Sequence, residues 1–299
     1  MTVPQTPGRK PRIAPAGLLF LAITSVGWGL NWPIMKQILT EWPPLSARGL
    51  TGLAGAALLA MLALLKGQSL RVPPGEWPRL LLSAFLNVTT WMTLMGIALL
   101  YLPASEAAVI AYTMPVWASV LAWLLLGERM SLTRVLALLL AFAGIAALMG
   151  GNGISASMEK MPGIIMVLVG AFAFALGTIV PKRLPMSLPL ISSSALQIGI
   201  GCVPVALAGL AFEHPRIEAL TSLGWALLVY MTVVQFCIAY VCWFAALARL
   251  PAGVAAIGTL AVPVIGVVAS AIMLHEPLGP GQIAALLLTL GGVVLATRS

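Results

Sequence analysis

The sequence predicts an all-α integral membrane protein, with ten transmembrane helices arranged as two inverted five-helix repeats. Three observations lead there. Hydrophobic residues make up 61% of the 299 and charged residues 8%, with no Asp at all; a soluble domain carries roughly a quarter charged residues. The apolar residues run in ten blocks, and each reaches or approaches the roughly 20 residues that cross ~30 Å of hydrocarbon as helix. Finally, residues 102 to 148 match residues 250 to 296, at a constant shift of 148, in 15 of 47 positions.

The duplication aligns Leu102-Pro103-Ala104 with Leu250-Pro251-Ala252, Pro115 with Pro263, Glu128 with Glu276 and Ala137 to Leu140 with Ala285 to Leu288. A unit of five spans reverses direction when repeated, so the two copies enter the bilayer from opposite sides, with a site expected between them. The predicted units are residues 1–150, an external linker 151–161, and residues 162–299, forming one transmembrane body.

The blocks run about 16–38, 43–66, 78–99, 104–127, 131–150, 162–183, 188–212, 220–248, 252–274 and 279–297. They are continuously apolar, which excludes a membrane barrel, whose strands alternate. Arg9, Lys10 and Arg12 ahead of the first block imitate a signal peptide. That run is long and lacks a small-x-small exit, so it reads as an uncleaved first helix. Trp42-Pro43-Pro44, Val72-Pro73-Pro74-Gly75 and Gly150-Gly151-Asn152-Gly153 mark short connections. The second, fifth, seventh and tenth blocks are aliphatic or small and read as frame.

Charge sets the orientation. With the N-terminus in the cytoplasm, twelve Lys and Arg fall on the cytoplasmic side and at most four, Lys160, Arg216, Lys36 and Arg48, on or near the other. The positive-inside rule then puts both termini in the cytoplasm. The net charge of +8 is scattered between apolar blocks and gives no nucleic-acid signal.

The motifs of membrane enzymes are missing. There is no HExxH, no Gly-x-Ser-x-Gly and no GxxxxGK[ST], and an Asp-rich diphosphate site is ruled out by composition. Cys202, Cys237 and Cys242 lie inside predicted spans and read as packing residues. We therefore expect no enzyme, no cofactor and no metal site. All eight acids map to loops or helix margins, which argues against a mid-membrane carboxylate relay for protons.

The residues resemble the EamA-type ten-helix branch of the drug/metabolite transporter superfamily. Trp28-Gly29-Leu30-Asn31 through Lys36 is similar to its Trp-Gly-x-Asn-x4-Lys signature, and Tyr112-Thr113-Met114-Pro115 through Gly127-Glu128 to its Pro-to-Gly-Glu helix. The copy from Pro263 to Glu276 has His275 where Gly127 stands, a departure from the pattern. Trp243 to Gly253 is similar to the family's eighth-to-ninth helix junction, and the nearest likeness within the branch is to YddG-like amino-acid exporters. The resemblance implies a secondary transporter in the bacterial inner (plasma) membrane. Such a protein exports small polar metabolites, amino acids (aromatic and other neutral) foremost, by alternating access through a central cavity. A drug or nucleotide-sugar carrier of the same superfamily is the alternative; a non-transporting membrane subunit or sensor is the other class. The expected partners are a small-molecule substrate and the lipid bilayer. Gly49, Gly52 and Gly55 allow close helix contact within one chain as readily as between chains, so the oligomeric state stays open.

Helical spacing assigns the cavity. Polar and aromatic stripes on six helices supply Trp28 and Asn31; Asn87, Thr90 and Trp91; Tyr112; Phe174 and Thr178; Gln235 and Trp243; and Thr259. Amides both donate and accept, and indole faces attract ammonium groups. Pro115 and Pro263, at matching mid-helix positions, are candidate hinges, each freeing a carbonyl one turn earlier. Lys36, Arg48 and Glu106 are candidate gate residues. Structural alternatives stand beside each: intramembrane amides also tie helices together, and Lys36 and Arg48 can snorkel outward. Glu128 and Glu276, at matching helix ends, are expected to satisfy the first amides of the helix that follows.

Overall fold

The computed structural model describes residues 15–127, 132–150, 153–250, 254 and 258–298. Among them every regular element is helical. The helices are α1 (Pro15–Ile38), α2 (Pro44–Leu65), α3 (Pro74–Tyr101), α4 (Ala104–Leu126), α5 (Leu132–Gly150), α6 (Gly153–Arg183), α7 (Leu190–Phe212), α8 (Ser222–Leu247), α9 (Ala261–Leu274) and α10 (Pro280–Arg298). Seven are long and apolar enough to cross a membrane, with the span in α6 running Met158–Val180. The apolar stretches of α5, α9 and α10 are shorter. Helix α6 begins nine residues before the expected span, so residues 153–161 are helical rather than a plain connection. Pro43, Pro103 and Pro189 stand immediately before helices, where a missing N–H removes no intrahelical bond.

Helix pairing follows the duplication. α2 lies along α7, α5 along α10, and α4 against α9; α1 packs on α9 and α8 just as α6 packs on α4 and α3. Exchanging the halves leaves this pattern unchanged. The connections 38–44, 101–104, 212–222 and 274–280, with the end of α5 and the start of α6, define an upper end, and the start of α1 and the end of α10 lie at the lower end.

Small residues set the closest crossing, where α2 meets α7. A Cβ on Gly49 would lie 2.4 Å from the backbone N of Ala206, one on Gly52 2.3 Å from Cys202 Sγ, and one on Gly209 2.5 Å from the N of Ser46. The Gly49 to Gly55 run is thus used inside this chain, which leaves the oligomeric state undecided.

Carboxylates from one half cap helices of the other at the upper end. Glu213 accepts from the N–H groups of Leu45 (2.9 Å) and Ser46 (2.7 Å) at the start of α2. Glu276 accepts from Ala104 (2.6 Å) and Ser105 (2.9 Å) at the start of α4, and Glu41 from Thr221 (2.8 Å) ahead of α8. Each satisfies amides that the helix cannot satisfy itself and adds negative charge at a positive dipole end. Glu276 was expected to serve the following helix, α10. It serves α4 instead, because the repeat fold sets the end of α9 beside the start of α4. Glu128 lies outside the described residues.

Gly127 (φ 72°) and His275 (φ 54°) take the same left-handed cap after α4 and α9. The departure at His275 therefore keeps the geometry and accepts the strain of a Cβ in that region.

Two predictions follow from this packing. Gly49→Val should lower thermal stability in detergent by about 1–3 kcal/mol or abolish folded yield through overpacking, whereas Gly75→Ala, with nothing within 4 Å, should be neutral. His275→Gly should raise stability by about 1 kcal/mol, read as a higher unfolding temperature.

Candidate functional site

Four interruptions of the helices surround the centre of the bundle. In α3 residues Phe85–Thr89 form a π turn, and in α8 so do residues Tyr230–Ile238. These segments are copies: Asn87 shifted by 148 is Gln235. A π turn inserts an extra residue per turn and re-aims the side chains that follow. Helix α4 breaks at Tyr112 and Thr113, between Ala104–Ala111 and Met114–Leu126, and a turn at Thr259 and Leu260 precedes Ala261. Both breaks sit just ahead of Pro115 and Pro263, which cannot donate to the carbonyl one turn back. The Thr259 carbonyl, expected to be freed, is taken by the N–H of Val262 (3.0 Å).

Between these interruptions lies a cavity of about 560 Å³, within the usual range for small-molecule sites. Of the predicted residues, Trp28, Asn31, Asn87, Trp91, Tyr112, Phe174, Thr178, Gln235, Trp243 and Thr259 line it, together with Pro115 and Arg48. Thr90 and Pro263 do not reach the lining. Sequence reasoning missed Tyr240, Trp32 and the methionines Met92, Met95 and Met114. Tyr240 follows the π turn of α8, which no hydrophobic period reveals, and so lies off the stripe of Gln235 and Trp243.

Aromatic pairs form two walls. Trp28 meets Tyr240 at 5.5 Å and Trp243 at 5.9 Å, and Phe174 meets Trp91 at 5.0 Å. The two walls join corresponding helix pairs, α1 to α8 and α6 to α3, with Trp28 and Phe174 in matching places and the rings of α8 and α3 at different positions. Trp28 Nε1 also donates to the carbonyl of Gln235 (3.4 Å).

The hydrogen bonds divide polar residues into two groups. Thr24 donates to the Ala239 carbonyl (3.1 Å), Ser25 to Gly258 (3.3 Å) and Thr89 to Gly201 (2.8 Å), each tying two helices. Thr178 donates to the Ala175 carbonyl of its own helix (2.7 Å). By contrast, the side-chain oxygens of Asn31, Asn87 and Gln235 and the Nε of Arg48 are buried without a hydrogen-bond partner. All four residues face the cavity. Asn87 is held by its Nδ2, which donates to the Gly177 carbonyl (3.3 Å); a Cβ on Gly177 would stand 2.0 Å from Asn87 Oδ1. Glycine at 177 is therefore what makes room for this amide.

The gate candidates are distributed differently from expectation. Glu106 pairs with Lys160 (2.8 Å), not with Lys36 or Arg48. Lys36 turns to the carbonyls of Leu99 and Leu102 at the end of α3, a cation on a negative dipole end. Arg48 is 1% exposed and lies against Met35, so it does not snorkel. Above the cavity Ile38, Leu99, Leu102 and Ala108 belong to one buried cluster. Below it Trp243 and Ala118 are half-buried and Thr178 exposed, so the cavity opens toward the lower end. Among the described residues there is no cluster of three His, Cys or acidic side chains to hold a metal.

Comparison with known proteins agrees with this architecture. The sequence profile of the EamA-like transporter family matches twice, at residues 15–150 and 161–298. A Bacillus subtilis (strain 168) protein called uncharacterized transporter YvbV is 34% identical over 277 residues, covering 93% of this chain and 90% of its own. A probable amino-acid metabolite efflux pump of Salmonella typhimurium (strain LT2) is 26% identical, covering 93% of each chain. One solved crystal structure superposes with a TM-score of 0.68 at 23% identity, over 94% of this chain and 96% of that one, and shares the fold. The chain is a multi-pass membrane transporter and belongs to the EamA-like transporter family.

Proposed function

We propose that the protein is a secondary exporter of amino acids and related small polar metabolites, working by alternating access of its two five-helix halves in the bacterial inner membrane. The observation that carries this reading is the set of three unpartnered amide oxygens, Asn31, Asn87 and Gln235, facing a cavity walled by aromatic pairs. Amide oxygens can replace the hydration of an ammonium group, and aromatic walls suit an apolar side chain. The efflux pumps among the relatives support the same substrate class. A cationic drug would look for a carboxylate; no described acid lines the cavity, and Glu106 is engaged by Lys160.

With the lower end in the cytoplasm, the cavity is in its cytoplasm-open shape, and the capped upper end is the closed barrier. Export then requires the barrier to move from the upper to the lower end. The carboxylate caps at the upper end cross between the halves, so rocking of one half against the other would break them together. Transport in this reading runs down the solute gradient, since every acid described lies outside the cavity lining.

Counterflow in liposomes containing only the purified protein tests the reading, using a panel of labelled amino acids. Asn87→Ala and Gln235→Ala should each lower flux by about tenfold, the weight of one hydrogen bond to a charged group, at unchanged folded yield. Thr90→Ala should leave flux intact. Wild-type flux in both amide variants would reduce those residues to helix contacts. For orientation, a variant lacking the three native cysteines and carrying Ile217→Cys should react with an impermeant maleimide on intact cells. Ser69→Cys should react only after permeabilisation; the reverse pattern would invert the assignment.

A further inference from the structure

Arg48 is out of place for a structural arginine. It lines the upper part of the cavity, is 1% exposed, and its Nε has no hydrogen-bond partner. Its one hydrogen-bond contact is with the thioether of Met35, a weak acceptor that supplies no charge. A guanidinium buried without a counter-charge is strongly disfavoured, and an ionisable group at this depth of a membrane protein marks function unless a partner explains it.

The usual partners are committed elsewhere. Glu106 holds Lys160, Glu213 holds the first amides of α2, and Glu41 holds Thr221. Nor does the scaffold require the charge. The register set by Pro43 and Pro189 ahead of α2 and α7 places Ser194 at the position equivalent to Arg48. The same helix pairing is therefore built from a small neutral residue in the other half.

We propose that Arg48 is the anchor for the carboxylate of the transported solute, so that the cavity selects molecules bearing one. The proposal rests on the amino-acid export reading and deepens it. Geometry along α1 supports it: Met35, beside Arg48, stands one helical turn, about 6 Å, above Asn31. A carboxylate at Arg48 therefore leaves an α-ammonium facing the amide oxygens below, with the side chain directed toward the aromatic walls. Arg48 is well suited to the task because a guanidinium presents a planar fork that matches a carboxylate.

The test compares the best-carried labelled amino acid with its C-terminal carboxamide, which keeps the ammonium and side chain and loses only the anion. Wild-type protein in liposomes should carry the acid about tenfold or more better than the amide. Arg48→Gln should abolish that preference, and Arg48→Lys should retain part of it. Thermal stabilisation of the wild-type protein by acid and amide gives a second readout that needs no variant to fold, and it should show the same preference. Equal handling of acid and amide by the wild type would overturn the anchor, as would an Arg48→Gln protein that keeps the full preference. In either case export itself would stand. If no labelled amino acid is carried, the export reading fails and the anchor fails with it.

Discussion

Backbone N–H and C=O groups have no water to bind inside hydrocarbon, and this constraint governs the whole molecule. It makes every described regular element a helix and restricts each interruption to places where protein surrounds it. Tyr112 and Thr259, one residue at each break, line the cavity. The break in α4 is held by local bonds, with Thr113 N–H to the Ile110 carbonyl (3.1 Å) and Val116 N–H to the Thr113 carbonyl (2.9 Å). Carbonyls in and around the π turn of α8 are used by α1, through Trp28 and Thr24. Helix starts at the upper end meet the same demand with carboxylates of the opposite half, so satisfying the backbone also joins the halves.

The same constraint separates site from scaffold. Most intramembrane hydroxyls here spend their proton on a carbonyl, as Thr24, Ser25, Thr89 and Thr178 do. Six described side chains keep a buried, unpartnered polar atom, and four of these face the cavity: Asn31, Arg48, Asn87 and Gln235. Unused hydrogen-bonding capacity at low dielectric is costly to fold. Its concentration around one cavity is what a solute-binding surface requires.

Duplication supplied a frame, and single substitutions individualised it. Asn87 and Gln235 keep an amide in matching π turns, and each aromatic wall joins the corresponding pair of helices although Trp91 falls on Ala239 and Trp243 on Met95. Elsewhere the copies diverge: Arg48 against Ser194, Glu106 against Val254, Gly127 against His275. Only the last must preserve backbone geometry, and it does so by accepting a left-handed non-glycine residue. The other two change charge: Glu106 adds an ion pair to Lys160, and Arg48 places a cation at the cavity lining of one half only.

Span number, the repeat and most lining residues were legible in the sequence because each is a local or periodic property. Apolar length sets a crossing, a constant shift of 148 exposes the duplication, and a period of 3.6 puts Trp28 and Asn31 on one stripe. What the tertiary structure decided depends on neighbours. Tyr240 reaches the cavity only because a π turn redirects α8, and Thr90 does not reach it although its stripe includes Asn87. Lys36 and Arg48 look alike as helix-margin cations, yet one finds the carbonyls ending α3 and the other lines the upper part of the cavity. Glu106 finds Lys160, fifty-four residues on. Glu276 caps α4 rather than its own successor, because partner choice for a charge in a low dielectric is set by which chain ends the fold brings together, and sequence spacing carries no record of that.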